Sequence, residues 1–137
     1  MYGNLIDVNH ILMDGVSLGD GSSTPKTTES AELYVGNNPG LFRVEVRAKT
    51  ALTVVTAKAL NVELECGASG ACAAPVSGTH QYIAHKTSAD DEKVYAAGAL
   101  IGYMVLAKEH GPYIKVKTYT DEDHITETVD IFLTPVG

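Results

Sequence analysis

The side chains best equipped for chemistry are two cysteines and two histidines. Cys66 and Cys72 flank Gly-Ala-Ser-Gly-Ala, and His80 and His85 follow. Thiolates and imidazoles together are zinc ligands, and the spacing is Cys-x5-Cys-x7-His-x4-His. Zinc fingers keep roughly two to four residues between the cysteines and about twelve before the first histidine, so both gaps are wrong. His80 and His85 are also an odd step apart, which on a regular strand sends them to opposite faces. No zinc site and no other cofactor is expected. The flexible loop leaves a Cys66–Cys72 disulfide open as an alternative. The N-terminal segment Met1–Gly15 shows no basic region, no clean apolar region and no small-residue cleavage site of a secretory signal. A reducing cytoplasm, where disulfides are rare, is therefore expected. In that setting Cys66 reads as a small core residue ending a strand and Cys72 as a loop thiol.

Other catalytic patterns fail on similar grounds. Gly67-Ala68-Ser69-Gly70-Ala71 approximates a nucleophile elbow, but its second glycine comes one position early and no strand-to-helix turn follows. The acidic clusters Asp90-Asp91-Glu92 and Asp121-Glu122-Asp123 offer oxygen ligands for calcium, yet lack the glycine and alternation of an EF-hand. Both are expected as solvated turns. His10, His110 and His124 sit beside turns or in the N-terminal segment, with no partner fixed by spacing. No carboxylate is flanked by the aromatics that line a sugar cleft. No enzymatic activity is expected.

Charge narrows the partners. The 137 residues include 17 acids and 10 bases, for a net charge of −7. Phosphate contacts need a surplus of Lys and Arg, so nucleic acid is not an expected partner. Anionic lipid is unattractive for the same reason. The longest apolar run, Val94–Ala107, has fourteen residues, against about twenty for a membrane span. No membrane partner is expected.

The elements that must position these groups are strands. Period-two alternation marks Ala31–Val35, Phe42–Ala48, Leu60–Cys66, Tyr113–Tyr119 and Val129–Thr134, and more weakly Gln81–Lys86. Leu60, Val62, Leu64 and Cys66 face inward, against Asn61, Glu63 and Glu65 in water. Turn residues fall between the runs, as in Asn37-Asn38-Pro39-Gly40. Gly15–Ser30 reads as a long loop. Six to eight short strands with no long amphipathic helix predict an antiparallel β-sandwich or small barrel. The 45% hydrophobic content supplies the core of one domain, residues 1–137.

The order of segments carries a resemblance. Ala96-Ala97-Gly98 leads into the aliphatic Ala99–Ala107, Tyr113-Ile114-Lys115-Val116 follows, and Phe132-Leu133-Thr134-Pro135 comes near the end. Ala31–Gly36 and Leu60–Cys66 fall in compatible places. This resembles the small jelly-roll capsid cement, or head decoration, proteins of tailed bacteriophages, first seen in a Bordetella podovirus. The likeness covers most of the chain in pattern and the last forty residues in letters. It departs at the Cys66–Cys72 loop, the Asp121–Asp123 turn and the N-terminal segment.

The resemblance implies an all-β, jelly-roll-like antiparallel sandwich with little or no helix. It implies a homo-oligomeric structural protein of the virion, assembled in the host cytoplasm, that binds the major capsid protein on the capsid exterior and braces the expanded head. Residues 1–30 are then expected as an N-terminal arm and loop. Leu5, Ile6, Val8, Ile11, Leu12 and Met13 are its apolar contacts with the capsid or a sister subunit, the alternative being an edge strand of the sandwich. The competing expectation is a carbohydrate-binding sandwich. It needs exposed aromatics in a cluster, which Tyr34, Tyr113 and Tyr119 form only if neighbouring strands align them.

Overall fold

The computed structural model describes residues 10–21, 26–35, 42–56, 58–68, 70, 72, 74–75, 81–82, 92–105 and 112–135. Twelve strands lie among them: β1 Ile11–Asp20, β2 Lys26–Glu29, β3 Leu33–Tyr34, β4 Phe42–Ala48, β5 Leu52–Val54, β6 Leu60–Gly67, β7 Ala74–Pro75, β8 Gln81–Tyr82, β9 Lys93–Tyr95, β10 Leu100–Val105, β11 Tyr113–Thr120 and β12 Asp123–Pro135. Every pairing is antiparallel. No α-helix lies among the described residues. The fold is all-β, as the alternation predicts.

Two sheets carry the fold. The first, sheet A, runs β1-β12-β4-β10, and the second, sheet B, runs β2-β11-β6-β7, with β3 also on β11 and β8 also on β6. The pairings are nested. β1 pairs with β12, β2 with β11, β4 with β10, and β6 with β7 and β8. The chain thus behaves as one long antiparallel ribbon doubled back on itself, and its strand pairs alternate between the two sheets. A separate short ribbon joins β5 and β9.

The core collects the inward residues. Val44, Val46 and Ala48 come from β4, and Leu60, Val62, Leu64 and Cys66 from β6. Ile114 and Val116 come from β11, and Val129, Ile131 and Leu133 from β12. Each set repeats every second residue, the period that puts side chains on one face of a strand. Burying one such aliphatic side chain is worth roughly 1.5–3 kcal/mol, so these four strands supply most of the hydrophobic stabilisation.

Several expectations need correction. Gly15–Ser30 is mostly strand, because β1 and β2 occupy most of it. Gly15 and Gly19 adopt φ of 60° and 85° inside β1, where the register against β12 slips repeatedly. Glycine makes such bulges cheap, so residues that read as loop are a bent strand. Only Leu33–Tyr34 of Ala31–Val35 forms ladder pairs. Asn61 and Glu65, expected in water, are buried. Val94, from the long apolar run, is 68% exposed on β9.

Candidate functional site

The described surface holds two clusters of opposite design and one aromatic face. The first cluster stands on the outer face of sheet A. Since Val44, Val46 and Ala48 point into the core, Arg43, Glu45 and Arg47 point the other way. Glu45 is only 4% exposed. Arg43 donates from Nε at 3.0 Å and Nη2 at 2.5 Å to Oε1, and Arg47 donates from Nε at 3.0 Å to Oε2. Arg47 also donates to the Gly98 carbonyl at 3.2 Å. Tyr103 of β10 sits directly across from Glu45, and the Arg43 guanidinium lies 4.9 Å from its ring centroid. Charge-assisted bonds of this kind are the strong ones, and they keep the buried carboxylate from being orphaned.

The second cluster lies where the bend between β11 and β12 meets residues 53–59. His124 is 1% exposed. Its Nδ1 lies 2.5 Å from Glu127 Oε1. Its Nε2 lies 2.9 Å from Glu122 Oε1 but off the direction of a hydrogen bond, so that contact is one of charge and proximity. The same carboxylates hold backbone. The N–H of Thr53 donates to Glu127, that of Val55 to Glu122 and that of Ala59 to Asp121. The Glu122 carboxyl is pushed above its usual 4.5 by burial, an effect the neighbouring His124 opposes. Asp121-Glu122-Asp123 is therefore no solvated turn. Glu122 is buried, Asp121 is tied to Ala59, and Asp123 alone faces water fully.

Spacing hid this second cluster. His124 and Glu127 differ by three, which on a regular strand separates them by face. Between Ser17↔Thr128 and Gly19↔His124 the partner strand advances two residues while β12 advances four. That irregularity lets both side chains meet.

The aromatic face is the outside of sheet B. Tyr113, Lys115, Lys117 and Tyr119 alternate with the core residues of β11. Lys115 and Lys117 stand across from Glu65 and Glu63. Lys115 Nζ bonds Glu29 at 3.1 Å, which raises its pKa above the usual lysine value. At one end Tyr34, 65% exposed, packs edge-on against Tyr113 with centroids 5.3 Å apart. Tyr119 lies about 20 Å further along the strand at the usual rise per residue.

The remaining sequence candidates are dispersed. Leu12 and Met13 are buried in the core on edge strand β1, and Ile11 beside them pairs with Phe132. Leu5, Ile6 and Val8 lie outside the described residues, as do His80, His85, His110, Ser69, Asp90 and Asp91. Cys66 and Cys72 are buried and not joined in a disulfide. The Cys72 thiol lies 3.3 Å from the Glu65 carbonyl, and burial together with the Glu32 charge pushes its pKa up to about 11. Glu32 itself accepts the N–H groups of Gly70 and Cys72, which pins this loop. Among the described residues no group of three or more His, Cys, Asp or Glu is arranged to hold a metal ion.

The chain matches no protein-family model, no curated protein and no solved structure.

Proposed function

We propose that the chain is a non-enzymatic structural protein of a virion: a jelly-roll capsid decoration protein that binds the major capsid protein lattice of a tailed bacteriophage head from outside. The nested strand pairing carries this reading. Pairing of first strand with last and second with second-last, across a four-stranded and a six-stranded sheet, supports a jelly-roll order, and the jelly roll recurs in viral capsid domains. It also agrees with the fold implied by the resemblance of the last forty residues. Decoration works by avidity: each copy buries a modest area, and many symmetric copies brace one shell.

The test is direct. Purified protein is added to expanded phage heads that lack their decoration protein. Saturable binding with a raised melting temperature of the heads is the expected result. No binding, or binding without added heat resistance, overturns the reading.

One observation favours a second reading, a glycan-binding module. Tyr34 and Tyr113 do align on one outward face, with Lys115 and Glu65 the next pair along it. Jelly rolls also serve as lectins. A glycan array on which the wild-type protein binds and Tyr34→Ala does not would favour it.

A further inference from the structure

The chain contains only two arginines, against eight lysines, and they lie four residues apart on β4, each two residues from Glu45. Both grip Glu45, so the buried carboxylate acts as a brace for guanidinium groups. Two of the five N–H donors of Arg43 are spent on it, which leaves three. The same guanidinium is held over the Tyr103 ring. Its orientation is therefore fixed before any partner arrives, although its side chain remains 35% exposed.

The neighbourhood has the composition of a binding surface. β10 is an edge of sheet A. It presents Tyr103, 48% exposed, and Leu100, 40% exposed. Tyr and Arg are the residues that dominate interface energetics, and groups ordered in advance lose little freedom on binding. A planar guanidinium with free donors selects a carboxylate, which it can engage through two parallel bonds. At this edge Arg43 is a fixed cation beside an exposed aromatic, in a protein of net charge −7.

We infer that this outer face of sheet A, centred on Arg43 and Tyr103, docks a protein surface that presents a carboxylate to Arg43 and apolar groups to Tyr103 and Leu100. The inference rests on the decoration reading: the carboxylate belongs to the capsid lattice. Glu45 is a positioning residue, and Arg43 is the residue that makes the contact.

Binding to expanded, undecorated heads is measured for wild type, Arg43→Glu, Tyr103→Ser and Lys117→Glu, with each variant's melting curve. Arg43→Glu should weaken binding by roughly thirtyfold or more, and Tyr103→Ser by about tenfold, as for central interface residues. Lys117→Glu, on the outside of sheet B, should bind like wild type. Wild-type affinity should fall as salt rises. If Arg43→Glu does not fold, the exposed Tyr103→Ser decides. Wild type that binds while the folded variants on sheet A bind equally well overturns the inference and leaves the decoration reading standing. Loss confined to Lys117→Glu overturns it in favour of sheet B. Wild type that does not bind overturns the decoration reading, and the inference with it.

Discussion

Arg43-Glu45-Arg47 and Glu122-His124-Glu127 are built on one plan with opposite signs. In the first, two cations close on one carboxylate at an outer sheet face. In the second, two carboxylates close on one imidazole where a hairpin bend meets residues 53–59. Both centres are buried, and the flanks are part-exposed in each cluster, 35% and 19% for Arg43 and Arg47 against 11% and 23% for Glu122 and Glu127. The second cluster spends its flanks on the N–H groups of Thr53 and Val55, whereas Arg43 in the first spends only two of its five donors on Glu45. Similar charge counts thus yield an anchor in one place and an internal clamp in the other. The bonds that the flanks already make decide which.

Removing each centre tests that contrast most strongly. His124→Leu leaves Glu122 and Glu127 facing each other without the imidazole between them. A loss of about 3 kcal/mol is expected, read from urea unfolding at neutral pH. Glu45→Gln leaves two arginines that can turn to water, so a smaller loss of about 1–2 kcal/mol is expected in the same assay. Equal losses would erase the distinction between the clusters.

The pH dependence sharpens it further. Glu122 titrates above 4.5 when folded, so its carboxyl contributes most below that value and its contribution is lost as pH rises through the folded pKa. Glu122→Gln removes that slope. The stability advantage of wild type over the variant should therefore shrink as pH climbs from about 4.5 toward neutrality, as checked by urea midpoints across that range. A gap that widens with pH would reverse the assignment. The smallest effect belongs to an isolated pair on the surface. Lys49 and Asp14 lie 3.2 Å apart and both are exposed, so Asp14→Asn should leave the melting temperature unchanged within error.

These clusters were unequally legible. Arg43-x-Glu45-x-Arg47 sits on a regular strand, so period two already places all three on one face. What the letters lack is the burial of Glu45, which arises from packing on that face. The strands β4, β6, β11 and β12 were readable because core residues alternate cleanly there. The clamp was not readable, because an irregular register brings His124 to Glu127 and a segment some seventy positions earlier in the chain covers them. The part of β1 from Gly15 to Asp20 reads as loop for a related reason: its two glycines with positive φ give a strand the composition of a loop. Tyr34 and Tyr113 are distant in sequence, and only the β3–β11 pairing joins them.

The nested pairing also sets a timetable. Gly15 donates to Asp130, 115 positions later, and β1 has no ladder partner among the described strands other than β12. A chain emerging from the ribosome cannot complete sheet A until its last strand is free. Folding must then be late and, with contacts so distant in sequence, slow, on the millisecond-to-second scale of β-rich domains. Until that moment both faces of the future core are open, and premature association of nascent chains is the hazard that chaperones would have to contain.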